Sequence, residues 1–293
     1  MVRWLAKLHN LDRRWLYLAA ALVLCVGLSI RIAMPRGNVS RGTRGLYEAI
    51  ESCPPGKIVL IDSSWDMGSQ AENWAQFECV VRHLCEKRIR FVITSVGVTQ
   101  FAPDLAREVA EPIAEKAGYV YGRDWVNSGY KPPGANVGVV IDQLCRDFRS
   151  LYTSDARGKA AESLPLMEEL RGRPGATSAS KLHLIYCVTY CPPTEWISFG
   201  QGQHKVPVAF GCMSIMAPGY ATFLDSGQLC GMLAGNRGAA EYEALVGRPG
   251  LGSRLVTASS LGNCFIILAI LLGNLGLWAA RRASQAAGGR RDD

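Results

Sequence analysis

Two uncharged apolar stretches bracket this chain. Residues 15–30 (WLYLAAALVLCVGLSI) and residues 255–280, with the core LGNCFIILAILLGNLGLWAA, contain no Asp, Glu, Lys or Arg. A bilayer core needs roughly 20 apolar residues in helix, and tilt or snorkelling flanks let either stretch reach that length. Residues 31–254 are of ordinary mixed composition and long enough to bury a core of their own. The expected plan is an amphipathic basic leader (1–14), a span (15–34), a linker (35–45), an α/β domain (46–246), a linker (247–254), a second span (255–280) and a basic tail (281–293). A cleaved signal peptide would also open basic and then apolar. Residues 31–36 (RIAMPR) lack its small-x-small cleavage pattern, so the first stretch reads as an uncleaved anchor. In the leader, Trp4, Leu5, Leu8, Leu11 and Trp15 fall near one helical face among Arg3, Lys7, Arg13 and Arg14, as in a helix lying in the headgroup layer.

The net charge of +7 is strongest beside the apolar stretches, where it sets topology or touches anionic lipid; nucleic-acid binding is not expected. Lys and Arg on the terminal flanks outnumber those on the domain flanks by eight to six. That bias puts both termini in the cytoplasm and the domain outside. Two of the ten cysteines, Cys25 and Cys264, lie inside the apolar stretches. The other eight could pair in an exported domain. Several sit in apolar runs, where a free Cys is a small buried hydrophobe.

Short apolar runs at 57–62, 90–94, 181–189 and 206–210 read as buried strands, with a shorter one at 119–125. Helical spacing covers 70–87, 104–117, 136–148, 194–199 and 226–245. Strands without alternation, interleaved with helices, imply a mostly parallel sheet covered on both faces. The expected fold class is therefore α/β, a Rossmann-like three-layer sandwich of four to six strands. Residues 150–180, rich in Gly, Ser, Arg and Pro, read as an exposed excursion.

Ligands of open parallel sheets bind outside the carboxyl ends of the strands. That rule selects Asp62, Ser63, Ser64 and Asp66 after the first strand, Ser95 and Thr99 after the second, and Tyr190, Thr194 and Glu195 after the strand at 181–189. Cys212 and Ser214 follow the next one. Asp62 and Asp66 can equally cap a helix or close an Asx turn. The glycine-rich segment 127–138 carries Lys131 just before a helix, so it can meet a small anion or act as a stiff connection; it lacks the phosphate-loop ending. The histidines His9, His83, His183 and His204 show no metal spacing. No nucleophile elbow or metalloprotease helix occurs, so no catalytic residue, metal or cofactor is assigned. In the second apolar stretch, Gly273, Asn274 and Gly276 suggest a packing face, since an amide in hydrocarbon needs a partner.

The segments VNSGYKPPG (126–134), CRDFRS (145–150) with TSDARG (153–158), LPLM (164–167), TEW (194–196), GQLCG (227–231), GAAEYE (238–243) and LLGNL (271–275) carry a family likeness. Together they resemble an uncharacterised prokaryotic family of two-span, membrane-anchored α/β-domain proteins, over most of residues 45–280. The chain departs from that pattern at Pro133, where Gly is expected, and at Pro192-Pro193, where Pro-Gly is expected; both changes stiffen loops. The resemblance implies the architecture and no activity. Residues and resemblance together suggest a ligand- or partner-binding subunit of a membrane complex. Its partner would be a membrane protein or a second copy, and its ligand a small anion. The rival is a membrane-bound hydrolase or transferase working at the strand ends through Asp62, Asp66, Lys131 and Glu195.

Overall fold

A run such as IVLIDSS offers no polar face to water, so it must be covered on both sides. The computed structural model describes residues 12–288 except 98 and 135, with side chains as far as 282. In it, β1 (Ile58–Ser64) is buried at every position. β2 (Arg90–Val96), β3 (Trp125–Lys131), β4 (Leu182–Thr189), β5 (Val208–Cys212) and β6 (Gly231–Ala234) join it in one sheet of order β3-β2-β1-β4-β5-β6. Every pairing is parallel, with Asp62 opposite Thr94 on β2 and Cys187 on β4. The α/β sandwich class is thus shown, with a sheet that is parallel throughout.

Parallel neighbours need crossovers, and these supply the covering layers. α1 (Arg13–Ser29) precedes the sheet domain, and α2 (Arg41–Glu51) lies over β6. α3 (Gln70–Glu86) and α4 (Ala102–Lys116) follow β1 and β2, and α3 packs on α8 (Gly235–Val246). The opposite face is built from α5 (Val137–Arg146), the short α6 (Pro165–Glu169), a π-helical segment (Trp196–Gln203) and α7 (Ala217–Asp225). The chain's last helix is α9 (Leu251–Gly288).

Four sequence expectations need correction. The third strand lies at 125–131, where the loop was expected. It holds Gly129 at φ 92°, and the register with β2 shifts there, so one glycine-bearing bulge hides a strand. Residues 226–245 contain β6 as well as α8. Gly231 lets α2 lie on that strand, since a Cβ there would overlap the Leu46 backbone. Residues 150–180 are no exposed excursion. Phe148, Tyr152, Leu164, Leu166, Met167 and Leu170 are buried, because this segment covers the sheet on its way from β3 at the edge to β4 at the centre. Residues 41–45 of the expected linker belong to α2, which Ser40 caps. All ten cysteines are free; Cys79, Cys85, Cys145, Cys187 and Cys212 are buried as small hydrophobes.

The chain divides into two compact units, residues 33–253 and the terminal segments to either side. Within the terminal unit, α1 meets α9 at small residues: a Cβ on Gly27 would overlap the Ala258 backbone, and one on Gly262 would press on Leu24. Within Leu251–Arg282 of α9 an 18-residue stretch reaches a mean hydropathy of 2.2, and the segment is long and apolar enough to cross a membrane. α1, at 17 residues, is shorter, and no second helix among the described residues meets that measure. The amphipathic leader falls outside the described residues for residues 1–11.

The start of α9 is held by a buried carboxylate. Glu243 accepts the backbone N–H of Gly250, Gly252 and Ser253, each at 2.8 Å, and the Ser253 hydroxyl at 2.6 Å. Removing this acceptor orphans donors at a helix N-terminus. Glu243→Ala should lower unfolding stability by about 2 kcal/mol, within the range for helix caps and charge-assisted bonds. Urea titration of the detergent-purified chain reads this; an unchanged midpoint would remove Glu243 from the anchoring of α9.

Candidate functional site

β1 changes character along its length. Ile58, Val59, Leu60 and Ile61 are buried apolar residues, and Asp62, Ser63 and Ser64 are buried polar ones at the carboxyl end. Alternation sends Asp62 and Ser64 to the α5 face and Ser63 to the other. The crossovers diverge between β1 and β4, which is the switch point of this strand order. A cavity of about 210 Å³ lies there. Its walls come from Asp62 and Ser64 on β1, Val96 and Gly97 at the end of β2, Val137 and Ile141 on α5, and Thr189, Cys191, Pro192, Thr194, Glu195 and Trp196 from the end of β4 onward.

Asp62 is the centre of this site. It is 2 % exposed. Its Oδ1 accepts the Ser64 hydroxyl at 2.6 Å and the Val96 N–H at 3.1 Å, and its Oδ2 accepts the Trp196 indole N–H at 2.8 Å. Burial pushes its carboxyl up to about 6, against the pull of those three neutral donors. The π-helical segment that begins at Trp196 presents the indole; such i→i+5 insertions recur at functional sites. Its Phe199 fills the space a Cβ on Gly138 would need, so α5 and this segment lock together beside the cavity. Asn136 caps α5 by accepting the Gly138 N–H at 2.8 Å.

The other expected residues separate. Glu195 and Thr194 stand on the cavity wall, with the Thr194 hydroxyl donating to Glu195 at 2.9 Å. Asp66 closes a tight turn with Ser69 before α3, its Oδ1 accepting the Ser69 N–H at 3.0 Å while the Ser69 hydroxyl accepts the Asp66 N–H at 3.1 Å. It also borders a larger, mostly apolar groove of about 420 Å³ with Met67, Phe101 and Leu105, where Thr99 joins it. Tyr190 is half-buried, its phenol raised by burial and by Asp66. Ser95 donates to the Ser63 carbonyl at 2.8 Å, a strand-to-strand tie outside the cavity. Lys131 is the last residue of β3: its ammonium donates to the Leu151 carbonyl at 2.7 Å and sits 5.7 Å from the centre of the Tyr152 ring. The anion expectation placed Lys131 on a free loop; here its charge closes a crossover.

Thr189, Cys191 and Trp196 were not singled out from the sequence. The first two lay within reach of the strand-end rule, which was applied at Tyr190 between them. The Cys191 thiol is raised by burial and further by Asp62, Asp66 and Glu195, against the Thr189 hydroxyl, so it is a weak nucleophile at neutral pH. Among the described residues no three His, Cys, Asp or Glu side chains converge as a metal site. No family model, curated protein or solved structure matches the chain.

The raised Asp62 carboxyl has a signed consequence for folding. An acid whose folded value exceeds its unfolded value of 3.8 holds its proton more tightly when folded, so its contribution is most favourable below pH 4 and is lost as pH rises through 6. The difference amounts to about 3 kcal/mol. Asp62→Asn should flatten the stability profile between pH 4 and 6.5. Denaturant midpoints across that window check this; parallel profiles for both proteins would show that Asp62 is ionised throughout.

Proposed function

We propose that this chain is a two-span membrane protein whose Rossmann-like domain binds a small polar ligand in the β1–β4 crevice, as a subunit of a membrane complex. The observation that carries the ligand reading is Asp62: a buried carboxylate at the switch point, held by neutral donors at a cost to stability, lining a cavity. Such side chains concentrate at functional sites. The cavity is smaller than the 300–1,000 Å³ or so of drug-sized ligand pockets, so its occupant is small.

For the anchors, α9 supplies one span. The 17 residues of α1 extend about 25 Å, at the short end for a bilayer. Its residues Leu18, Leu22, Leu24 and Val26 are exposed. The segments entering and leaving the domain are tied together, with the Arg36 guanidinium donating to the Ala244 carbonyl at 2.9 Å, as suits a domain held at both ends. This is the architecture of the family that the motifs resemble. The Lys and Arg bias of eight to six supports termini in the cytoplasm and a domain outside. For a partner in the membrane, Asn274 is exposed on α9 and a Cβ at Gly273 meets nothing, so a helix can approach there, while Gly276 is buried.

The rival reading, a membrane-bound hydrolase or transferase, draws on Asp62 as a proton carrier near neutrality. It lacks a nucleophile beside it, since Cys191 is held in its thiol form.

Thermal-shift screening of small fragments against the detergent-purified chain should find stabilisers. Their effect should vanish in Thr194→Trp, which puts a bulky ring at the exposed rim of the cavity. A screen with equal hits on both proteins would place binding elsewhere. For assembly, Gly273→Leu should weaken cross-linking of the chain in membranes more than Asn274→Leu, because steric bulk blocks approach whereas an interhelical amide contributes about 0.6–2 kcal/mol. Identical cross-linking in wild type and both variants would remove that face from the complex.

A further inference from the structure

We propose that the β1–β4 cavity takes a small organic ammonium, a primary amine or amino alcohol, with Asp62 and Glu195 as its counter-charges. The inference rests on the reading of this cavity as a ligand site and names the class of its occupant.

The first argument is charge. Asp62 and Glu195 are the charged groups in the cavity wall, and no Lys, Arg or His lines it. The groups around Asp62 can be followed element by element. β1 brings Ser64 and β2 the Val96 N–H. β4 brings Cys187, whose thiol Asp62 raises, and the crossover from β3 brings the phenol of Tyr152. The loop after β4 brings Cys191 and Glu195, and the π-helical segment brings the Trp196 indole. None is a cation. Cys191 senses the same field, since Asp62, Asp66 and Glu195 all raise it. The chain as a whole carries +7, so this negative pocket runs against the overall balance.

The second argument is valence. A carboxylate has about four acceptor sites. Oδ1 of Asp62 uses two, on Ser64 and Val96, whereas Oδ2 receives the Trp196 N–H alone. One acceptor position on Oδ2 is therefore open in a side chain that lines the cavity and is 98 % buried. An ammonium N–H fills it and supplies the counter-charge that the protein does not. The hydroxyls of Thr189 and Thr194 in the same wall suit a hydroxyl on the ligand.

Other occupants fit worse. No third ligating side chain converges for a metal ion among the described residues. A phosphate at the N-terminus of α3 would meet carboxylates: Asp66 precedes that helix and Glu72 lies in its first turn.

Asp62 must be ionised to receive the cation, and burial holds it near pH 6, so ligand affinity should rise with pH through that value.

The test uses the full chain in detergent, with n-butylammonium and 3-aminopropanol as probes and butyrate and 1-butanol as size-matched controls, read by calorimetry and thermal shift at pH 5 and 7.5. The ammonium probes should bind about tenfold more tightly at pH 7.5 than at pH 5, and butyrate should not bind. Asp62→Asn should weaken them by tenfold or more, and Glu195→Gln, at the half-exposed rim, by a smaller factor with the fold intact. Butyrate binding equal to that of n-butylammonium, or ammonium affinities unchanged in Glu195→Gln and flat with pH, would overturn the assignment. If butyrate or 1-butanol stabilises wild type but not Thr194→Trp, the cavity remains a ligand site and only the class is wrong. If no probe binds, and no fragment distinguishes wild type from Thr194→Trp, the site reading falls with it.

Discussion

Every strand in this sheet runs parallel to its neighbours, and that constraint sets the rest of the molecule. A parallel link needs a crossover long enough to return to the starting edge, so each strand brings a covering element with it. Both faces of the sheet are therefore closed by the same chain that makes it. The order β3-β2-β1-β4-β5-β6 then forces the crossovers apart at β1 and β4. A crevice at their carboxyl ends is the geometric residue of that divergence. The switch of β1 from Val59-Leu60-Ile61 to Asp62-Ser63-Ser64 occurs as the strand reaches it.

Asp62 shows what the crevice is worth to the protein. A folded domain of ordinary stability has about 5–15 kcal/mol in hand. Holding an ionised carboxylate in this site takes about 3 kcal/mol of it at neutral pH. An Asn or Ser at the same place would avoid that loss and still serve as a hydrogen-bond partner. The surroundings go further and specify the acid: a hydroxyl, a backbone N–H and an indole all donate to it, the indole coming from the first residue of the π-helical segment. Donors arranged around an acceptor are organised for its charged form, while burial opposes that form. The balance near pH 6 follows from these two effects working against each other.

The sheet was legible in the sequence wherever its strands were built from uninterrupted apolar runs, as at Ile58-Val59 and Leu184-Ile185. It was illegible where glycine entered a strand. Gly129 in β3 and Gly231 in β6 belong to a bulge and to a close helix approach, and both mimic loop signals because a missing side chain looks the same in either setting. At the site, the strand-end rule found Asp62, Thr194 and Glu195, since it depends only on where a strand stops. It could not tell Asp62 from Asp66, because a cavity wall and a turn ahead of a helix use the same residue type. Nor could it foresee that Lys131 would meet the Leu151 carbonyl, a contact set by a crossover folding back over β3. Trp196 was hidden for a related reason: an indole after a strand reads as core until its N–H is seen to reach a carboxylate.

The terminal helices follow a different logic from the domain. The core of residues 33–253 is closed on both sheet faces by helices of that same segment, so it needs no further apolar cover. α1 and α9 bury little by comparison: Ile266, Ile267, Leu268, Ile270 and Leu271 are each more than half exposed, as are Trp15, Tyr17 and Leu22. Such apolar surface gains about 25 cal/mol per Å² on leaving water, which favours its transfer to an apolar surrounding. Their close contact at Gly27 and Ala258 covers one narrow strip only. In the proposed membrane setting, hydrocarbon would satisfy Ile and Leu and leave an amide such as Asn274 without a partner, which is why the proposal includes a second protein beside α9.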